Sequence, residues 1–247
     1  MPQPSAKYLP ALSLLILLSS CQTAAPVATS PPVSRSLETA TGEADFQTCY
    51  QLDATASELR LLVYKTGPLA RVGHNHVIVS HGLTGTLART DLFSSSKARI
   101  VLPVASLEVD PVALRAEEGA DFSSDVSDEA RAGTLSNMLG DGVLNAALYP
   151  DVTVELMSLT GPQWSADAIL RITLAGQVRE QSASVSLLEE AGVIRALSSF
   201  SISQSEFGMT PFSVLGGGLR VADEVKIRVN LTFTPMAAGD VGNCSVR

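Results

Sequence analysis

The segment Val225-Lys226-Ile227-Arg228-Val229-Asn230-Leu231-Thr232-Phe233 alternates apolar side chains with polar ones along its whole length. Successive side chains of a β-strand point to opposite faces, so this alternation predicts a strand with one apolar face and one wet face. Antiparallel sheets use such strands, because one face packs on a core while the other meets solvent.

The same period of two recurs upstream of this segment and defines the expected fold class. The apolar positions of these runs are Leu59, Leu61, Val63, Leu83, Leu87, Ala98, Ile100, Leu102, Val104, Val152, Val154, Leu156, Ala168, Leu170, Ile172, Leu174, Ala183, Val185, Leu187, Ile194, Ala196, Phe200 and Ile202. About eight such runs in one domain favour a closed barrel, which leaves no exposed sheet edge. We therefore predict an all-β fold, an eight-stranded antiparallel barrel with a short helical insert.

The insert is predicted between the strand runs that end at Val104 and begin at Val152. Ser127 can cap a helix that carries Asp128 and Glu129 in its first turn and ends at Gly140. Its apolar stripe is Leu135, Met138 and Leu139. A second short helix is predicted from Asp141 to Pro150, with apolar positions at Val143, Leu144, Ala147 and Leu148. Together these helices are expected to cover an open end of the barrel.

The first residues of the chain predict export and a lipid anchor. Residues 1–20 contain Lys7 and an apolar run from Leu9 to Leu18, which is too short to span a bilayer. The run ends in Leu-Ser-Ser-Cys, which resembles the bacterial lipobox and implies acylation, for example with palmitate, at Cys21. The alternative is an ordinary secretory signal peptide. Gln22 in place of Asp favours the periplasmic face of the outer membrane, by resemblance to lipoprotein sorting rules.

A tether and a single folded domain are expected to follow. Residues 21–48 are rich in Pro, Ser, Thr and Ala and lack apolar periodicity, so they are predicted to be a disordered tether. Residues 49–247 then form the barrel domain. The two remaining cysteines, Cys49 and Cys244, flank the first and last predicted strands, which are neighbours in a closed barrel. In an oxidising compartment this placement predicts a disulfide; free thiols are the alternative.

Composition excludes several classes of function. The formal net charge is -8 and no cluster of Lys or Arg is present, which argues against a nucleic-acid partner. No nucleophile elbow, P-loop or Cys-x-x-Cys motif occurs, so we predict that the protein is not an enzyme and needs no cofactor. An acidic run is interpreted as a solvated face, with general acids or calcium ligands as the alternative. It consists of Glu117, Glu118, Asp121, Asp125, Asp128 and Glu129.

All three histidines lie in a short stretch, His74-Asn75-His76 and His81. His74 and His76 share one face if the chain is extended there, and such a pair can chelate zinc or copper. His81 has the opposite parity and becomes a third ligand only if a bulge corrects it. The other interpretation is that His74 and His76 bond a turn or hold the polar head of a ligand.

A Gly-rich segment near the end of the chain is the candidate gate of a ligand cavity. The candidate ligand-binding residues there are Phe207, Met209, Phe212, Val214 and Leu215. Apolar side chains on a loop can close a pocket, and Met and Phe suit a flexible hydrocarbon chain. The alternative is that they pack under the barrel end.

Several short pieces, taken in their order, resemble the YceI-like polyisoprenoid-binding family across residues 50 to 234. They are Tyr50-Gln51-Leu52-Asp53, Ser57-Glu58-Leu59-Arg60-Leu61, the Gly-His-Asn-His turn, Gly82-Leu83-Thr84-Gly85-Thr86-Leu87, Val104-Ala105-Ser106-Leu107, Leu144-Asn145-Ala146-Ala147-Leu148-Tyr149-Pro150, Leu174-Ala175-Gly176, Ser203-Gln204-Ser205-Glu206-Phe207-Gly208 and Asp223-Glu224-Val225-Lys226-Ile227. The chain departs from the family pattern at Gln177 and Val178, where many relatives have a histidine nearby.

The resemblance implies a lipocalin-like barrel with a long apolar cavity. It also implies a bound polyisoprenoid, isoprenoid quinone or similar amphiphile. Combined with the lipobox, it leads to the expected function: a lipid-anchored periplasmic protein that binds an apolar, lipid-like ligand and touches the membrane through its acyl chains. A periplasmic metal-binding or redox-accessory protein that uses His74 and His76 is the competing hypothesis.

Overall fold

The computed structural model describes residues 48–237 and Cys244, which form one antiparallel sheet of twelve strand segments. The strands are β1 (Thr48–Leu52), β2 (Glu58–Thr66), β3 (His76–Ser80), β4 (Thr84–Arg89), β5 (Lys97–Pro103), β6 (Glu108–Val109), β7 (Asp151–Thr160), β8 (Ala166–Leu174), β9 (Gln177–Glu190), β10 (Val193–Ser203), β11 (Ser213–Val214) and β12 (Leu219–Pro235). The α-helices of this part of the chain are α1 (Val112–Glu117) and α2 (Asp128–Leu139).

The sheet closes on itself as an eight-stranded barrel, which confirms the predicted fold class. Around the ring the order is β1, β4, β5, β7, β8, β9, β10 and β12, and β12 pairs with β1 to complete the circle. The long strand β12 pairs with β2 over its first part and with β1 near its end, so β1 and β2 share one position in the wall. Closure leaves the ring without a free edge.

The side chains that face the interior of the barrel are the apolar ones that the alternating sequence pattern predicts. Cross-strand partners such as Ala196 and Leu231, or Phe200 and Ile227, come from two apolar runs. The register changes once within β7, between Leu156 and Ser158. Because of this bulge Leu159, rather than Ser158, continues the inward row. Taking every second residue of a strand therefore predicts the inward-facing side chains correctly, except at a bulge.

The insert between the strands is partly as predicted. Helix α2 begins after Ser127, whose hydroxyl accepts a hydrogen bond from Ala130 N at 3.2 Å, and it ends at Gly140. The predicted second helix, from Asp141 to Pro150, is wrong: this stretch forms turns. Asn145 has a φ of +47°, which lies in the left-handed region and is incompatible with a right-handed α-helix.

Two further observations concern the limits of the described region. Thr48, the last residue assigned to the predicted tether, belongs to β1. The predicted signal peptide, Cys21 and the rest of the tether lie outside the described residues. No helix within residues 48–237 is long and apolar enough to cross a bilayer.

The barrel has two distinct ends. One end, called the histidine end, contains His74 and His76, the last residues of β2 and helix α2. The other, called the disulfide end, contains the start of β1 and the β7–β8 hairpin. A disulfide joins Cys49 to Cys244 there, with an S–S distance of 2.06 Å across a sequence separation of 195.

Replacing both cysteines by serine is expected to lower the free energy of unfolding by about 2–4 kcal/mol, because the cross-link restricts the unfolded chain. Denaturant titration of the wild type and the Cys49→Ser/Cys244→Ser variant, under oxidising conditions, measures the difference. The reduced wild type should match the variant. Equal stability of the oxidised wild type and the variant would show that the disulfide does not form or does not constrain the chain.

Candidate functional site: an apolar cavity with a polar end

The barrel encloses a cavity of about 550 Å³ whose wall is mainly aliphatic. Its volume lies within the range of about 300–1,000 Å³ that small-molecule sites occupy. The middle of the wall is formed by side chains of the predicted inward parity, namely Leu61, Ile100, Val154, Leu170, Leu187, Ala196, Ile227, Val229 and Leu231. Ser198 is a polar residue in this band, and its hydroxyl donates to Ser184 O at 2.7 Å.

Other polar side chains of the lining come from the two ends. Arg89 and Glu189 form an ion pair of 3.1 Å at the disulfide end. At the histidine end Tyr64, His74 and His76 line the cavity, and helix α2 covers it. The helix contributes Ala130, Thr134, Asn137 and Met138 to the lining. The site is thus an apolar tube with polar groups at each end, a shape that suits an amphiphile.

A buried aspartate, Asp110, makes several hydrogen bonds beside His76. The Asp110 side chain is completely buried, and its Oδ2 lies 2.6 Å from His76 Nδ1. Its Oδ1 accepts hydrogen bonds from Val77 N at 2.8 Å and from Arg115 Nη1 at 2.7 Å. Arg115, which is also buried, donates further to Asn75 O at 2.6 Å. Both carboxylate oxygens are satisfied, as a buried charge requires.

These groups meet because residues 110–126 wrap around the outer face of β2 and β3. Phe122 packs there with Leu62, Val77 and Val79 in a small core outside the barrel. Strand β6 places Asp110 at the start of this wrap, and α1 places Arg115 beside it. Asp110 adopts a φ of +51°, a left-handed backbone that Asp tolerates better than most residues. Residues 110–126, called the wrap, therefore pack against the histidine turn from the outer side of the barrel.

His74 lies beside His76, with ring centroids 6.4 Å apart. Burial is the main cause that lowers the pKa of His74, and the neighbouring His76, Arg115 and Lys65 side chains lower it further. His74 is consequently neutral at neutral pH. Its polar atoms are available to a ligand without a net charge.

The pKa of Asp110 predicts how stability depends on pH. Burial alone would raise this pKa, but the hydrogen bonds from His76 and Val77 N and the nearby Arg115 outweigh it, so the pKa lies below its ordinary value. The unfolded carboxyl group has a pKa of about 4 and binds a proton first as the pH falls. The free energy of unfolding should therefore fall as the pH drops below about 4 and through the folded pKa. Denaturant titrations at several pH values, compared with Asp110→Asn, test this; parallel curves would contradict it.

The structure does not assemble the metal site of the competing hypothesis. His76 Nδ1 is engaged by Asp110. His81 is exposed, lies outside the cavity lining, and its Nδ1 is 3.1 Å from Ser57 O. Within the described part of the chain, no three His, Cys, Asp or Glu side chains are grouped so that they could hold a metal ion. His81 thus lies away from His74 and His76, as its opposite parity in the strand predicts.

The Gly-rich segment contributes to the site through some of its predicted residues. Met209, Phe212 and Val214 line the cavity, and Met209 is buried. Phe207 is buried in the barrel core without reaching the lining, and Leu215 is exposed and also outside it. Three of the five predicted residues therefore line the cavity and Phe207 packs in the core, while a gating role of this segment stays a prediction.

The acidic run is only partly a solvated face. Asp121, Asp125, Asp128 and Glu129 are exposed. In contrast, the side chain of Glu118 is 4% exposed and binds Arg60 at 2.7 Å and Arg228 at 2.6 Å. For Glu118 the interpretation as a solvated residue is wrong, because the wrap presses it against the cationic outer face of β2 and β12.

Asp110 and Arg115 belong to the site, yet no pattern in the sequence predicts them. They are 34 and 39 residues beyond His76, and no motif links such distant positions. A weak signal is present in Leu107-Glu108-Val109-Asp110-Pro111, where a carboxylate and a proline end a short alternating segment. Gln177 and Val178, where the chain departs from the family pattern, are both exposed at the start of β9 and lie outside the cavity lining.

A closed antiparallel barrel around a ligand-sized apolar cavity defines a lipocalin-like architecture. The family model described as the YceI-like domain matches residues 50–233. The chain belongs to the YceI-like family. A comparison with curated proteins gives no match.

Solved structures with similar folds come from several bacteria. BcnA of Burkholderia cenocepacia is 13% identical, with a TM-score of 0.52, over 73% of this chain and 98% of BcnA. A polyisoprenoid-binding domain from Saccharophagus degradans, implicated in plant cell wall breakdown, is 19% identical, with a TM-score of 0.49, over 76% of this chain and 99% of that domain. A Campylobacter jejuni YceI protein is 13% identical, with a TM-score of 0.44, over 63% and 81% of the two chains.

Proposed function

We propose that the protein binds a polyisoprenoid, an isoprenoid quinone or a similar apolar amphiphile inside the barrel and performs no covalent chemistry on it. The observation that carries this proposal is the aliphatic cavity of about 550 Å³ with polar groups at its ends. An apolar chain gains about 0.8 kcal/mol for each methylene that it transfers from water into such a cavity. The polar ends can accept a head group.

The experiment is extraction of the purified protein with organic solvent, followed by mass spectrometry of the extract. The protein is expressed with its own signal segment, so that it meets bacterial lipids. A stoichiometric lipid-like species in the extract is the expected result. A matched extract of a variant with a filled cavity should lack it. An extract of the wild type that contains only solvent and buffer, together with failure to bind added isoprenoids, would contradict the proposal.

We also propose that the protein is a lipoprotein of the periplasmic face of the outer membrane, anchored through acyl chains on Cys21. The support is the lipobox at Leu18-Ser19-Ser20-Cys21 and the Gln22 that follows it. Two or more acyl chains suffice for stable anchoring. Labelled palmitate should be incorporated into the wild type and not into a Cys21→Ser variant, which should leave the membrane fraction. Equal labelling of both proteins would contradict the anchor.

A further inference from the structure

The contact with Asp110 determines which ring nitrogen of His76 carries a proton. An ionised carboxylate only accepts hydrogen bonds, so the proton in the 2.6 Å contact between His76 Nδ1 and Asp110 Oδ2 belongs to the histidine. Arg115 Nη1 also pairs with Asp110, through Oδ1 at 2.7 Å, so the carboxylate already has a cationic partner. In a neutral ring protonated on Nδ1, the other nitrogen, Nε2, is a hydrogen-bond acceptor.

The position of the ring directs this acceptor to the cavity. His76 lines the cavity, its side chain is 16% exposed, and Asp110 occupies its Nδ1 edge. Nε2 has no hydrogen-bond partner among the residues that the structure describes. The other groups around the ring are already committed or neutral: Lys65 Nζ donates to Gly73 O at 2.7 Å, and His74 is uncharged.

We infer that the polar end of the ligand carries a hydroxyl group, as in an isoprenoid alcohol or a quinol, and that this hydroxyl donates a hydrogen bond to His76 Nε2. The inference rests on the proposed function and extends it by naming the head group. A carbonyl or ether oxygen has no proton to donate, so a head group of that kind makes no hydrogen bond to Nε2. Sites built to bond a hydroxyl discriminate strongly against analogues that lack it.

The orientation of the ligand follows from the same contact. Its hydroxyl lies at the histidine end, beneath α2, and its hydrocarbon chain runs along the aliphatic wall toward the disulfide end. Asp110 and Arg115 do not touch this ligand; they are positioning residues that fix the tautomer and the direction of the imidazole.

The test compares two probes with the same tail, farnesol and farnesyl methyl ether, titrated by calorimetry into the delipidated full chain. The wild type is expected to bind the alcohol about tenfold or more tightly than the ether, since an unmade buried hydrogen bond costs about that ratio. His76→Phe should lose the preference, so that the ratio of the two dissociation constants approaches one. His81→Phe, a matched change outside the cavity, should keep the preference.

The outcomes separate the two proposals. If the wild type binds both probes with equal affinity, the cavity is a binding site and the inference about the hydroxyl is overturned. A preference that survives in His76→Phe overturns the role of Nε2. If neither probe binds the wild type, the proposed isoprenoid-binding function fails, and the inference fails with it. The wild-type comparison needs no variant and so does not depend on the folding of one.

Discussion

Asp110→Ala is expected to reduce the free energy of unfolding by about 3–5 kcal/mol, the cost of leaving a buried ion without its partner. The substitution removes the acceptor of Arg115, His76 and Val77 N at once, and the Arg115 side chain that remains is 8% exposed. Denaturant or thermal unfolding of the variant measures the loss.

Asp128→Ala is the matched control, because that side chain is 94% exposed and pairs with Arg131 on the surface of α2. It should cost less than about 1 kcal/mol. A double variant, Asp110→Ala/Arg115→Leu, should be more stable than Asp110→Ala alone, since it removes the unpaired charge. If Asp110→Ala is no more harmful than Asp128→Ala, then Arg115 reaches solvent or another acceptor, and the buried ion pair does not hold the histidine turn.

Ala196→Trp is expected to weaken the binding of long apolar ligands by about 60-fold or more while the barrel remains folded. Ala196 lies in β10 between Leu187 and Leu231 of the neighbouring strands, and all three side chains line the cavity. An indole at this position blocks the tube. If the indole keeps three methylenes of the ligand out of the cavity, the binding free energy weakens by about 2.4 kcal/mol, which corresponds to about 60-fold in affinity. Calorimetric titration with farnesol, or displacement of a fluorescent apolar probe, gives the change in affinity.

Leu197→Trp is the control for this experiment, since it introduces the same side chain one residue along the strand. Leu197 points to the outer face and is 45% exposed, so its replacement should leave the affinity unchanged. Circular dichroism of both variants checks that the barrel is intact. Undiminished binding by a folded Ala196→Trp protein would place the ligand outside the barrel, and the proposed site would be wrong.

Local patterns predicted the barrel wall because strand side chains alternate with a fixed period. The runs around Ala196 and Val229 each identify their inward face without reference to any other part of the chain. The start of α2 was likewise predictable, since Ser127 and Asp128 act on the turn that immediately follows them. The predicted helix after Asp141 failed because apolar spacing alone does not show where the backbone reverses, as it does at Asn145.

The polar end of the cavity was much less accessible to sequence reasoning. The histidines are conspicuous as a cluster, yet their chemistry is decided by Asp110 and Arg115, which reach them only through the wrap of residues 110–126 around the barrel. The burial of Glu118 has the same origin, since Arg60 and Arg228 come from strands far away in the chain. Long-range pairing of this kind leaves no periodic trace in the sequence.

The proximity of Cys49 and Cys244, with Cα atoms 5.9 Å apart, has a consequence for engineering. Because the domain's own boundaries already lie side by side, a short peptide can replace the sulfur bridge and new termini can be opened elsewhere. The exposed hairpin after Gly161 is a suitable point, since it lies outside the strands of the wall. Such a circular permutant would retain every strand neighbour of the barrel while its chain starts and stops between β7 and β8.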